Sequence, residues 1–175
     1  MKFMRVICRT KPDWGLGHIL SDDGAKVTAF FLAGGTRTLD TTIVELDVVT
    51  GAAASDPILD VAGQANWRNA HHNLYVIELK PDVFALERKF ADANPDYTPG
   101  TLPCVYVGMT GLAPEERFAG HQQGTHAARF VTRYGIRLLP PLYTHFNPMP
   151  YDLAVPMEAE LARQLRERGY GVWQH

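Results

Sequence analysis

Residues 73–79, Asn73-Leu74-Tyr75-Val76-Ile77-Glu78-Leu79, and residues 103–108, Pro103-Cys104-Val105-Tyr106-Val107-Gly108, decide how this chain is read. Both are short apolar runs rich in β-branched residues, of strand length, and each carries a single tyrosine. The segments around them have a different period. Residues 81–93 place Val83, Phe84, Leu86 and Phe90 at helical spacing behind Pro81, so one amphipathic helix is predicted there. Residues 114–123 open with Pro114, Glu115 and Glu116, the composition that a helix N-terminus favours. Residues 127–134 form a further helix, with Gly135 expected as its C′ residue. A strand over 136–142, a helix over 152–168 stopped by Gly169, and a last short strand over 171–174 complete this part. Pro156 either kinks that long helix or marks its first turn. Strands mixed with helices, without steady βαβ alternation, predict an α+β fold.

Working outward from this region, the first fifty residues carry no helical period. Residues 4–8, 17–20, 26–32 and 36–39 read as strands, separated by the turn signals Ser21-Asp22-Asp23-Gly24 and Ala33-Gly34-Gly35. A small antiparallel barrel or curled sheet fits them. Gly51-Ala52-Ala53-Ala54-Ser55-Asp56-Pro57 has linker composition. The expected division is therefore an all-β module at 1–50, a linker at 51–72 and a second domain at 73–175. Within the linker, residues 59–70 read as a connecting turn or a short helix.

The totals restrict the function classes. No run approaches the roughly 18 apolar residues of a membrane helix, and Arg5 and Arg9 interrupt the short apolar start, so a cytoplasmic protein of bacterial type is expected. Cys8 and Cys104 are far apart and form no CxxC pair, which argues against a zinc knuckle and for buried, reduced thiols. The formal net charge of −2 speaks mildly against a nucleic-acid binder. The distribution speaks the other way. From Phe118 to Tyr151 there is no Asp or Glu, while Arg129, Arg133, Arg137, His121, His126 and His145 fall in that stretch. Such a patch can meet a phosphate backbone locally.

Leu74-Tyr75-Val76 and Val105-Tyr106-Val107-Gly108 resemble the paired elements that name the GIY-YIG nucleases. Met109-Thr110-Gly111 then leads into a helix carrying Arg117 and, four residues on, His121, which share one helix face. Glu158, followed by Leu161 and Leu165, sits at the polar edge of an apolar stripe, as the family's metal-binding glutamate does. Glu160 competes for that role, and the leucines favour Glu158. Gly124-Thr125-His126 matches a histidine that some members carry. The resemblance spans residues 73–174 and implies a small antiparallel or mixed sheet flanked by helices. It also implies a divalent-metal-dependent endonuclease, with Tyr75, Tyr106, Arg117, His121 and Glu158 catalytic and one Mg²⁺ or Mn²⁺ per site on Glu158. In the family a tyrosine serves as the base. Tyr75 takes that role here, with Tyr106 and His121 as alternatives. DNA, branched or damaged forms included, is the implied partner, with His126, Arg129 and Arg133 on its phosphates. A catalytically inactive adaptor of the same fold is the alternative.

Two departures stand out. The family joins its two tyrosines by a short hairpin, whereas Tyr75 and Tyr106 are 31 positions apart, so an insertion at the hairpin tip is expected. Many members also have an asparagine near the domain end, and residues 169–173 have none. At the N-terminus, Pro12-Asp13-Trp14-Gly15-Leu16-Gly17-His18-Ile19-Leu20 followed by Lys26-Val27-Thr28-Ala29-Phe30-Phe31 resembles the small Tudor-like barrels of bacterial nucleic-acid-associated proteins. This implies a docking surface for a protein partner or nucleic acid. Adjacent His71-His72 has the look of a metal tag, but neighbours in a strand point to opposite faces, so a structural role is expected.

Overall fold

The computed structural model describes residues 4–124 and 128–174. Five strands come first: β1 (Arg5–Cys8), β2 (Gly17–Asp22), β3 (Lys26–Phe31), β4 (Gly35–Asp40) and β5 (Leu46–Val49). They form one antiparallel sheet in the order β4-β3-β2-β1-β5. The β2–β3 turn is built by its aspartates. Asp22 accepts from the Gly24 amide at 2.9 Å, and Asp23 accepts from the amides of Ala25 and Lys26 at 3.0 and 2.6 Å. Strand β5 was not expected from the sequence. It is short, and is held by pairing to β1 and by Arg9, whose guanidinium meets Asp47 at 2.5 Å and also Glu45.

Helix α1 (Pro57–Gln64) follows. Asp56 caps it, accepting from the Leu59 amide at 2.9 Å, and Pro57 occupies the first turn, where a missing N–H costs nothing. The segment read as linker thus contains an ordered helix, and its Leu59 and Ala62 are fully buried.

The remaining elements are β6 (Asn73–Leu79), α2 (Asp82–Leu86), α3 (Arg88–Asp92), β7 (Cys104–Thr110), α4 (Pro114–Gln122), α5 (Arg129–Tyr134), β8 (Gly135–Leu138), α6 (Tyr151–Glu167) and β9 (Gly171–Gln174). The second sheet has the order β8-β6-β7-β9, with β9 parallel to β7 and the other pairs antiparallel. The chain is therefore α+β, with two sheets and six helices among the described residues. None of those helices is long and apolar enough to cross a membrane. Both cysteines are free and buried.

Strands β6 and β7 are hydrogen-bonded from Asn73↔Thr110 to Leu79↔Cys104, so residues 80–103 do bridge the tip of a hairpin. The single helix expected over 81–93 is in fact two. Glu87 breaks it with extended backbone (φ −115, ψ 94), and its carboxylate turns inward to accept from the Tyr134 hydroxyl at 3.0 Å. Gly135 is not a left-handed cap. Its φ is −63, and it starts β8 where an added Cβ would lie 2.5 Å from the Val131 carbonyl oxygen. The strand expected over 136–142 ends at Leu138, because Pro140 and Pro141 turn the chain into a short 3-10 segment. Pro156 lies inside α6 rather than at its start, while Gly169 follows the helix at φ +96, as a stop requires.

Alternation along β3 joins the two halves. Val27, Ala29 and Phe31 face a small core with Val6, Cys8, Ile19 and Leu39. Phe30 points the other way, into the main core with Leu59, Ala62 and the β6–β7 aliphatics, and lies 5.8 Å from the Trp67 ring. A second tie is Gln164 of α6, which donates to the Leu32 carbonyl at 2.9 Å. Phe30→Ala is expected to cost about 3–5 kcal/mol by emptying a fully buried aromatic site. Chemical denaturation should show one destabilised transition for both halves. Unchanged stability of residues 73–174 would contradict the shared core.

Candidate active site

The β6–β7 register sets the geometry. Tyr75 stands opposite Gly108, and Ile77 opposite Tyr106, so the two tyrosines are diagonal neighbours on one face. Their ring centroids are 6.0 Å apart. Gly108 leaves the space that the Tyr75 phenol fills. A Cβ there would lie 2.6 Å from Tyr75 Cζ and Oη and 2.9 Å from Tyr106 Cε1. The glycine of the Val-Gly pair is thus required by the phenols packed over it.

Helix α4 brings the next two groups. Glu116 accepts from the Ala113 amide at 3.3 Å and steadies the first turn. His121 is fully buried, with its Nε2 3.0 Å from Tyr75 Oη. Its Nδ1 accepts from the Ala128 backbone amide at 3.0 Å. An imidazole that accepts at Nδ1 carries its proton on Nε2. His121 therefore donates to the Tyr75 oxygen, and the phenol's own hydrogen is left to point elsewhere. Burial, followed by the Arg117 charge, pulls the His121 pKa down to about 4. Burial pushes the Tyr75 phenol up, while Arg117 and the Tyr106 hydroxyl act on the same oxygen and pull it back. Tyr106 is raised further, by burial and then by Tyr75 and Glu158.

The fifth group arrives from α6. Glu158 is half-buried. Burial raises its pKa, and the Met109 backbone amide, on β7, opposes the rise. Its rival Glu160 is already engaged. It accepts from Arg163 at 2.6 and 2.8 Å and from Gln164 at 2.7 Å, and these bonds outweigh burial to lower its pKa. Arg117 forms no ion pair with an acid among the described residues, and it too is half-buried. The cluster meets solvent through Arg117 and Glu158, with the phenols and imidazole packed behind.

Residues 2–49 match the family described as Protein of unknown function (DUF3553). No curated protein and no solved structure matches the chain. The matched span coincides with the five-stranded sheet and stops before the cluster.

Five residues singled out in the sequence, Tyr75, Tyr106, Arg117, His121 and Glu158, are brought together. The phosphate-contact candidates have other surroundings. Arg129 and Arg133 bind Glu87, at 3.2 and 3.0 Å, and Arg137 binds Glu78 at 2.7 Å. His126 lies outside the described residues. Three supporting groups escaped sequence reasoning. Two are the amides of Ala128 and Met109, which no side chain announces. The third is Asn147, which clamps Leu74 beside Tyr75 by donating to its carbonyl and accepting from its amide, both at 2.8 Å.

Among the described residues no group of three or more His, Cys, Asp or Glu can enclose a metal ion. A lone, desolvated carboxylate with one backbone donor suits a Mg²⁺ or Mn²⁺ ion that keeps most of its water ligands.

The depressed His121 pKa has a stability consequence. Between the unfolded imidazole value of about 6.5 and the folded value of about 4, the unfolded chain binds more protons, so stability falls as pH drops through that window. His121→Gln should remove this slope in pH-dependent denaturation. A slope of the same size in the variant would show that His121 is not its source.

Proposed function

We propose that the chain is a divalent-metal-dependent endonuclease of the GIY-YIG type that hydrolyses phosphodiester bonds in DNA, with a Tudor-like N-terminal barrel that docks nucleic acid or a protein partner. One observation carries this reading: two phenols, a guanidinium, an imidazole and a carboxylate converge, and Arg117 has no acidic partner among the described residues.

The chemistry follows from the side chains. Arg117 offers a planar, permanently charged fork to the non-bridging phosphate oxygens, where charge builds in the transition state. Glu158 holds one ion, which when bound polarises the phosphate and lowers the pKa of its water. Tyr75 Oη takes the proton of the attacking water. The donors around it, Arg117 first and then the Tyr106 hydroxyl, stabilise the phenolate against the burial that opposes it, and His121 Nε2–H adds a hydrogen bond at 3.0 Å. The Ala128 amide keeps His121 in the tautomer that donates. His121 is neutral throughout the physiological range and acts here as a positioning residue.

The adaptor reading is favoured by the net charge of −2 and by the neutralisation of Arg129, Arg133 and Arg137. Supercoiled plasmid with Mg²⁺ or Mn²⁺ separates the two. Nicking is expected, and Glu158→Ala and Arg117→Ala should each lower its rate by about 10²-fold or more. Nicking that both substitutions leave untouched belongs to a contaminant, and absence of nicking supports the adaptor.

A pH profile tests the base. The rate should climb with pH beyond neutrality as Tyr75 ionises, with no inflection near the ordinary imidazole value of about 6.5, because His121 is already neutral there. A clear step at that value would transfer the role of base to a histidine.

A further inference from the structure

Helix α6 presents a second feature beside Glu158. Tyr151 lies seven residues before it, close to two full helical turns, so the two side chains share a face about 10 Å apart along the axis. Tyr151 is 54% exposed, and Val155, one turn on and between them, is 47% exposed. The Tyr151 ring does not stand alone. His72 meets it edge-on with centroids 5.0 Å apart, and His71 follows His72 at 4.3 Å. These histidines precede β6 rather than alternating within it, so both rings join one row. The His71 ring is fixed by its Nδ1 on the Asn69 carbonyl at 2.7 Å. Burial, then the neighbouring His71, lowers the His72 pKa.

The row is continuous with the cluster through β7. Met109 supplies the amide at Glu158, and two residues on, an added Cβ on Gly111 would lie 3.5 Å from His72 Nε2. Leu112, 54% exposed, is tied to the same corner, because Asn73 donates to the Leu112 carbonyl at 3.1 Å. Flat rings on a short apolar ledge, next to a site built for a phosphate, suit the π-face of a nucleobase, which stacks without regard to its identity. A duplex keeps its bases stacked inside and cannot use such a ledge without extruding one.

We infer that Tyr151, flanked by His72, is a stacking shelf for an unpaired nucleobase next to the scissile phosphate, which directs the enzyme to DNA with a single-stranded or displaced nucleotide. This rests on the nuclease reading of the Glu158 cluster.

Fluorescence anisotropy of the full-length protein, in metal-free buffer to prevent cleavage, tests it with a labelled oligothymidylate and a labelled duplex of equal length. The single strand should bind more tightly than the duplex. Tyr151→Ala should weaken the single strand about fivefold to a hundredfold and leave the duplex little changed. Tyr151→Phe should bind as the wild type does, since stacking needs the ring and not the hydroxyl. Tyr151→Trp should retain binding, with its emission altered on binding. Equal single-strand affinity of the wild type and Tyr151→Ala overturns the shelf, as does an equal loss on both probes. If Arg117→Ala still weakens both probes in that case, the nuclease reading survives the shelf's failure. If the wild type binds neither probe, both ideas fall together.

Discussion

The antiparallel register of β6 against β7 is the constraint on which the cluster depends. Because side chains alternate across a strand, a slip of one residue would send Tyr75 or Tyr106 to the opposite face and separate the phenols. The register is held from several sides. Seven consecutive residue pairs link the strands, β8 and β9 cover their outer edges, and Asn147 grips both backbone groups of Leu74. Gly108 adds a steric condition, because only a residue without a side chain lets the Tyr75 ring lie where His121 can reach its oxygen. The hydrogen-bonded centre is therefore a consequence of backbone pairing, and the helices add their groups to a platform already fixed.

Apolar periodicity made the strands of both sheets other than β5, and helix α6, legible, because burial dictates those patterns directly. The spacing of Arg117 and His121 and the leucines after Glu158 were legible for the same reason: a helix face is a local property. What stayed hidden is contact between distant segments. The break at Glu87 follows from a carboxylate drawn to Tyr134, more than forty positions away, and a helical period cannot register that pull. The proton position on His121 is set by the amide of Ala128, and the setting of Glu158 by the amide of Met109. Every residue has a backbone donor, so composition gives no hint of which ones are used. Asn147 has the same difficulty, since an Asn-Pro pair reads only as a turn.

Charge shows the gap between sequence and space most clearly. An acid-free stretch of more than thirty residues reads as a basic face, yet Glu87 and Glu78 come from outside it and sit on three of its arginines. Those arginines are more than half exposed, so the pairs contribute little to stability. Their effect is on the field. The positive potential over α5 and β8 is reduced, while Arg117, without an acidic partner among the described residues, keeps its full attraction for an anion. A protein of net negative charge thus keeps, among the described residues, a cation without an acidic partner at the cluster.

The N-terminal sheet bears on the same question through mechanics. Strand β3 buries one face in the small core, and at its end Phe30, on the other face, enters the main core. At Gly35, with φ +69, an added Cβ would lie 2.0 Å from the His145 carbonyl oxygen, so backbone from the two halves is in close contact. Gln164 reaches across from the same helix that carries Glu158. A flexible tether would let a docked partner roam, whereas a shared core fixes its position relative to the cluster. The N-terminal sheet is thus held at a set distance from Glu158 by packed side chains and backbone contact rather than by a tether.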